Sequence, residues 1–367
     1  MLFKQSSEEK THRDGKFCNP FISVCIPQYS RYQHIIAQLE RLAAQTFKDF
    51  EVCISDDNSP ERQWSAVCNR LDDLSIRYAY IVQRTNIRYD ANLRAAIGLA
   101  RGHYVLLMGN DDRLADTLSL SRICKRINEA NSPDVVITNY RDLSNGERVA
   151  RILDDGLVTS GLDAAISSYR NYSFVSGIVF DRKKAQLSAT DNWDGSEMYQ
   201  MAIGTRIVAT GGRLLGLSET FIEKDIQIPG VVVDSYANRH EEPSGLFRPK
   251  ITPLVVYAAT CWDALRPAVP IKDANAVGWR ILRQTLMFTY PYWIVQYKRT
   301  RGVRCAFRFA LGMQPRFVRK GLPRSILSDM KAWILYSAVT VTGLLFPVGP
   351  FGKHFQRFHH VAKRFCK

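Results

Sequence analysis

The nine residues from Tyr104 to Asp112, YVLLMGNDD, decide how this chain is read. An uncharged apolar run, Tyr104 to Met108, gives way after Gly109 and Asn110 to two adjacent carboxylates, Asp111 and Asp112. The pattern describes a buried strand that delivers charge at its C-terminal end. In open α/β sheets, ligands bind at that edge. A hard divalent cation prefers oxygen ligands, and one or two carboxylates hold it beside substrate phosphates. Adjacent Asp residues after a strand also suit a turn or a helix N-cap. The surrounding segments must therefore decide between the two.

Upstream, strand-like and helix-like segments alternate. Phe21 to Ile26 reads as a buried strand stopped by Pro27. Tyr32 to Gln45 places Ile35, Ile36, Leu39, Leu42 and Ala43 at helical spacing. Phe50 to Ser55 is a second strand, ending at Asp56-Asp57-Asn58-Ser59-Pro60. Trp64 to Leu71 is a short helix, Ile76 to Gln83 a third strand and Ala91 to Arg101 a helix. His103 to Met108 is the fourth strand, followed by a helix over Ser119 to Asn131 and a strand over Val135 to Thr138. This alternation predicts a mostly parallel sheet. Beyond about residue 150 the pattern loosens. Ser176 to Phe180 and Arg213 to Leu217 read as strands, with a helix over Trp193 to Ile207 between them.

Four polar motifs sit at or just beyond strand ends. They are Ile26-Pro27-Gln28-Tyr29, Ser55-Asp56-Asp57-Asn58-Ser59, the stretch from Arg84 to Asn92, and Gly109-Asn110-Asp111-Asp112. A parallel sheet gathers them onto one edge. A carboxylate at Asp56 is suited to accept hydrogen bonds from a nucleobase or ribose. Asp111 and Asp112 are suited to hold a metal that bridges a diphosphate. There is no G-x-G-x-x-G and no P-loop.

These motifs, in this order and spacing, make Phe21 to Arg113 resemble the nucleotide-sugar domain of family 2 glycosyltransferases, with likeness extending over about residues 20 to 220. SVCIPQYSR is similar to that family's opening strand and VCISDDNSP to its second. NIRYDANLRAAIGLARGHYVLLMGNDD resembles its long signature ending in the acidic motif. Within the family, the nearest resemblance is to enzymes of bacterial surface-polysaccharide synthesis, including the abequosyltransferase-like group that serves O-antigen. The resemblance implies the α/β GT-A fold, a Rossmann-like nucleotide-sugar domain.

It also implies roles. Pro27 and Tyr29 pack around the nucleoside, Asp56 contacts the base, and Asp57 or Asn58 supports the loop. Asn86 and Asn92 lie near the sugar or diphosphate. Asp111 contacts the nucleotide sugar, and Asp112 is the direct ligand of a divalent cation, Mg2+ or Mn2+. Two positions depart from the family pattern. Gly109 stands where the acidic motif usually begins with Asp, and Arg88 stands where Gly usually follows Asn86-Ile87. Arg88 is therefore either a phosphate contact or a solvated loop residue.

Family members invert the anomeric centre and place a general base in the second half, near a helix start. The stretch here runs from Asp191 to Gln200 and lacks the common Glu-Asp pair. Glu197 is the first candidate base and Asp194 the second, although either also suits a helix cap. Trp193 and Tyr199 are candidates for an acceptor platform, or for core.

Charge divides the chain. From Lys298 to Lys367 there are fifteen Lys/Arg and one acid, Asp329, while the first 297 residues hold 35 basic and 34 acidic side chains. The basic block is a region with its own task. An uncharged, aromatic stretch, Leu286 to Tyr297, lies just before it, and the block itself contains a stretch without any charge from Ala332 to Gly352. Aromatic and apolar residues beside Lys/Arg suit a helix lying in an anionic bilayer interface. Pro347 and Pro350 interrupt Ala332 to Gly352, so interfacial or re-entrant burial is expected over a full span, with an ordinary core helix as the other alternative. Eight scattered cysteines, without metal spacing, read as free thiols of a reducing compartment. The charged N-terminus lacks a secretory h-region.

The expected organisation is a polar segment (1–19), a GT-A domain (20–240) and a helical, basic, membrane-associating extension (241–367). The expected partners are a nucleotide-diphosphate sugar donor, a polyprenyl-diphosphate-linked oligosaccharide acceptor and an anionic membrane surface, at the cytoplasmic face of a bacterial inner membrane. Nucleic acid is not expected, because a solvated groove does not suit the uncharged 332–352 stretch. A non-catalytic scaffold of the same fold, or a nucleic-acid binder using the tail, remain the alternatives.

Overall fold

The computed structural model describes residues 9–12, 19–231, 253–347 and 349. Two compact units divide at Val233 and Asp234.

The first unit is built on one eleven-stranded sheet. Its strands are β1 (Glu9–His12), β2 (Ile22–Gln28), β3 (Phe50–Asp56), β4 (Tyr78–Val82), β5 (Tyr104–Leu107), β6 (Arg113–Leu114), β7 (Val135–Asp142), β8 (Arg148–Val149), β9 (Val158–Thr159), β10 (Ile178–Asp181) and β11 (Leu214–Lys224). The order across the sheet is β1-β4-β3-β2-β5-β10-β7-β11-β6, with β8 on β7 and β9 on β11. The helices are α1 (Tyr32–Ala43), α2 (Trp64–Asp73), α3 (Arg88–Leu99), α4 (Ser119–Glu129), α5 (Gly161–Ser168), α6 (Arg182–Leu187) and α7 (Tyr199–Ala209).

Alternation along the strands builds one core. Ile22, Val24 and Ile26 of β2 and Phe50, Val52 and Ile54 of β3 pack with Ile35, Leu39 and Leu42 of α1, Val67 and Leu71 of α2, and Ile123 and Ile127 of α4. Helix α7 is buried on nearly every side, as an apolar helix without a polar face must be.

The sheet is mixed rather than mostly parallel. Strands β4, β3, β2 and β5 run parallel, as do β7 and β11. Strand β10 enters antiparallel between β5 and β7, and β1 pairs antiparallel with β4 at the edge. A strand buried on both faces has the same apolar run in either direction, so hydropathy does not disclose its orientation. Strand β2 also continues through Pro27 to Gln28 instead of stopping there. Its pairing with β5 ends at Cys25–Leu107. Beyond that point only β3 flanks it, and a proline on a one-sided strand costs little. The helix expected from Trp193 begins only at Tyr199, because Gly195 and Glu197 both take left-handed backbone angles (φ 82° and 57°).

The second unit is helical: α8 (Pro253–Leu265), α9 (Ala274–Gln284), α10 (Tyr290–Arg301), α11 (Val303–Gly312), α12 (Pro315–Val318) and α13 (Ile326–Leu345). A π-helical turn, Thr285–Thr289, joins α9 to α10. The aromatic stretch 286–297 forms much of this unit's core: Leu286, Tyr290 and Ile294 are fully buried. Tyr290 stacks on Tyr336 at 5.6 Å, and the Tyr336 hydroxyl donates to the Ala310 carbonyl at 2.7 Å. Ser325 and Ser328 form a reciprocal cap at the start of α13. At its other end, Lys298 Nζ donates to the carbonyls of Leu344 and Phe346, satisfying orphan acceptors at the negative helix terminus. No helix among the described residues is long and apolar enough to cross a membrane. The expectations for 1–8, 13–18, 232–252 and 350–367, including the last basic stretch from Lys353, lie outside the described residues.

Candidate functional site

The C-terminal ends of β2, β3 and β5 come together, and the three motifs they carry meet. Asn110, just after β5, donates to the Gln28 side chain at 2.9 Å and to the Tyr29 carbonyl at 3.2 Å. These bonds tie the ends of β5 and β2 to each other. Ser30 and Arg31 follow with left-handed backbone angles (φ 54° and 61°). Such angles carry a steric cost in non-glycine residues and gather at sites where geometry is constrained.

At the end of β3 the two aspartates turn opposite ways. Asp56 is buried, accepting from the Ser59 amide at 2.7 Å and the Tyr80 hydroxyl at 2.8 Å. It faces a cleft walled by Gln28, Tyr32, Ser59, Trp64 and Tyr80. Each carboxylate oxygen keeps a second lone pair for a ligand donor. Asp57 instead accepts from the backbone amides of Ile87 and Arg88, at 2.5 and 3.0 Å, at the N-terminus of α3. Burial raises its carboxyl above the usual range, against those two hydrogen bonds.

Arg88 has φ 69° and an exposed side chain. The left-handed backbone explains why glycine is the usual residue at this position. Asn86 is exposed and accepts from the Arg88 amide at 3.2 Å. Tyr29 is exposed and Pro27 is half-buried. Asn92 differs from expectation. It is buried and donates to the Gln28 carbonyl at 3.1 Å, which makes it a tie beneath the site rather than part of its lining.

Asp111 and Asp112 are joined by a third carboxylate that no motif announced. Asp225, just past β11, brings its oxygen within 4.8 Å of theirs. Its backbone amide donates to Asp112 at 3.1 Å. Asp112 is fully buried and also accepts from the Ser176 hydroxyl, which itself accepts from the Gly109 amide at 2.7 Å. Burial, reinforced by the Asp111 charge, pushes the Asp112 carboxyl well above the usual range. Arg31 pairs with Asp111 and Lys224 with Asp225.

Gly109 has a local reason. A Cβ there would lie 2.8 Å from an Asp112 oxygen and 3.2 Å from an Asp111 oxygen. The carboxylates fold over the bare backbone, and Asp225 adds a third acid beside them. Three oxygen donors this close, one of them buried, fit a hard divalent cation. His34 lies behind the cluster, buried on α1, with neither ring nitrogen in a well-formed hydrogen bond. Burial lowers its pKa.

The segment before α7 is held by a residue not singled out in sequence. Asp90 of α3 is buried and accepts from the amides of Glu197 and Tyr199, at 2.8 and 3.1 Å. Burial pushes its carboxyl up to about 6. The signal was present: Asp90 lies in the first turn of an otherwise apolar-faced helix, where charge needs a partner. Glu197 is half-exposed. Asp194 is clamped by Arg94, whose guanidinium donates to both its oxygens, one at 2.8 Å. Trp193 and Tyr199 do not form a platform. They are 3% and 0% exposed, pack edge-on at 6.0 Å, and have Arg206 and Arg94 against their rings. Both are core, because burial is cheaper for these large rings than solvation.

Comparison with known proteins follows this geometry. Residues 23–182 match the glycosyl transferase family 2 profile. The GalNAc(5)-diNAcBac-PP-undecaprenol beta-1,3-glucosyltransferase of Campylobacter jejuni is 31% identical over 111 residues, 30% of this chain and 35% of that protein. The abequosyltransferase RfbV of Salmonella typhimurium is 28% identical over 199 residues, 50% of this chain and 57% of that protein. The chain thus spans about a third to just over half of the length of these relatives. Among solved structures, S. aureus TarS 1–349 superposes with TM-score 0.56 at 15% identity, covering 88% of this chain and 90% of that one. The mannosyltransferase PcManGT of Pyrobaculum calidifontis, solved with GDP-Man and Mn2+, gives TM-score 0.51 at 12% identity, covering 90% and 88%. The shared architecture is the GT-A fold.

Proposed function

We propose that this chain, which carries a glycosyl transferase family 2 domain over residues 23–182, is an inverting glycosyltransferase that uses a nucleotide-diphosphate sugar. Its acceptor is a polyprenyl-diphosphate-linked oligosaccharide of a bacterial surface glycan. The enzyme works at the cytoplasmic face of the inner membrane, against an anionic lipid surface. One observation carries the reading: the Asp56 cleft and the Asp111, Asp112 and Asp225 carboxylates lie at the same sheet edge. A nucleoside diphosphate needs both kinds of group, an acceptor for the base and a cation site for the diphosphate. The Campylobacter relative, whose name specifies an undecaprenol-linked acceptor, supports the acceptor class.

In this reading, Asp56 accepts an N–H of the base, between Trp64 and Tyr29. Asp111, Asp112 and Asp225 would hold a divalent cation, Mg2+ or Mn2+, which when bound would supply positive charge to the leaving diphosphate. Arg88 stands at the N-terminus of α3, where the Ile87 and Arg88 amides are taken by Asp57 and the exposed Arg88 side chain is the group that meets a phosphate. Glu197 takes the proton of the attacking acceptor hydroxyl as the bond to the anomeric carbon forms and the bond to the diphosphate breaks. Asp194 is not favoured as the base, since Arg94 already occupies both its oxygens. Residues 20–240 form the catalytic domain and 241–367 the membrane-facing region. A non-catalytic scaffold has less support, because Asp225 completes the acidic cluster that Gly109 leaves short.

The test is binding of UDP, GDP, dTDP and CDP to the purified protein, with and without Mn2+ or Mg2+. Metal-dependent binding of one of them is expected and names the donor class. Binding of none overturns the reading.

A further inference from the structure

Helix α13 is apolar on two opposite sides. One side carries Ala332, Tyr336 and Gly343 and is buried against the rest of the helical unit, with Gly343 packed on Ile294. The other carries Ile326, Leu327, Met330, Trp333, Ile334, Val341 and Leu345, all exposed to solvent. At 100° per residue these seven fall within one face, continuous along the 20-residue, roughly 30 Å helix. Ile326 is 83% exposed, Ile334 68% and Leu345 77%. A contiguous apolar surface of this kind marks an interaction site.

The charge around it selects the occupant. Helix α11 repeats the theme on a smaller scale, exposing Val303 and Phe307 beside Arg304, with Arg301 just before the helix. Arg316, Lys320, Arg324 and Lys331 are exposed as well. The single acid after Lys298, Asp329, is spent internally on the buried Arg319. A second copy of so basic a surface would be repelled. A nucleic acid would satisfy the charge but leave seven large apolar side chains against water. An anionic bilayer satisfies both, with apolar side chains in the acyl boundary and Lys/Arg at the headgroups. Trp333 suits the level between them.

We infer that the outward face of α13 docks on an anionic bilayer and lies in its plane. This deepens the membrane-surface part of the proposed function and rests on it only for its biological purpose.

The experiment is flotation of the full chain with vesicles of phosphatidylcholine, with or without phosphatidylglycerol, at low and high salt. Wild type and the Ile334→Glu/Val341→Glu variant are compared. Both replaced residues are solvent-exposed, so the fold should be retained; circular dichroism and metal-dependent nucleotide binding check this. Wild type is expected to float with the anionic vesicles and to retain part of that binding at high salt. The variant is expected to lose about tenfold in partitioning and to keep nucleotide binding. Equal flotation of both proteins, or complete release of wild type by salt, overturns the role of α13. So does a salt-resistant wild-type dimer that the variant dissolves without any vesicle binding. Failure of nucleotide binding in wild type with flotation intact would count against the transferase reading and leave the docking face standing.

Discussion

At the scale of single residues, the acidic cluster sets the chemistry. Asp112 is buried, faces Asp111 and Asp225, and accepts from the Ser176 hydroxyl and the Asp225 amide. Such a carboxylate is unfavourable until a cation arrives. Removing the Ser176 hydroxyl frees the Asp112 rotamer and takes an acceptor from the Gly109 amide. Ser176→Ala is expected to weaken Mn2+ binding by the roughly 10–100-fold that loss of an outer hydrogen-bond partner costs. Asp112→Asn should exceed that loss. A Mn2+ titration by electron paramagnetic resonance separates the two, and equal affinity in wild type and both variants would exclude a metal role. Asp90 is a second sensitive residue. Its folded pKa, about 6, lies above the ordinary value of 3.8. The native state therefore binds more protons than the unfolded state between those values, and stability falls as pH rises from about 4 to 6. The shift corresponds to about 3 kcal/mol. Urea unfolding of wild type and Asp90→Asn across this window should show that slope in wild type and its loss in the variant.

At the scale of elements, the segment between Trp193 and α7 is decisive. Its backbone turns left-handed twice, and α3 holds it from one side through Asp90 and Arg94. This leaves Glu197 half-exposed while Asp194 is engaged by Arg94. Glu197→Gln is expected to lower turnover by about 10²–10⁴-fold with donor binding unchanged. Asp194→Asn, which breaks a partly exposed ion pair, should cost about 1 kcal/mol of stability or less and leave most of the turnover. Steady-state kinetics with thermal melts distinguish these outcomes, and the opposite ranking would move the base to Asp194. Sequence reading found the elements with an apolar run or a clear period: β2, α1, β3, α2, β4, α3, β5, α4, β7, β10 and β11. It missed β1, β6, β8 and β9, whose residues (EKTH, RL, RV and VT) form no apolar run.

At the scale of the molecule, the chain falls into two compact units. A ligand that binds only the folded first unit stabilises that unit alone. At about 100 times its dissociation constant it adds about 2.7 kcal/mol, which for a domain of this size raises Tm by roughly 5–10 °C. Calorimetry with the matching nucleoside diphosphate and Mn2+ should show that shift in one transition only. Movement of both transitions would mean that the units unfold together.

The chain's own pattern determined a good deal: an α/β domain with its ligand edge at the strand ends, the acidic pair after Tyr104–Met108, and a basic, apolar C-terminal region. Each of these is a local property, written in the spacing of neighbouring residues. Tertiary structure alone decided the rest. Asp225 joins Asp112 across more than a hundred residues, and Asp90 reaches Glu197 across a similar gap. Orientation of β10 was hidden because a doubly buried strand reads alike in both directions. Trp193 and Tyr199 proved to be core, Leu286, Tyr290 and Ile294 turned inward while Tyr292 stayed exposed, and α13 kept one of its two apolar sides out. Hydropathy records how much apolar surface a segment has, and only packing decides which of that surface is already covered.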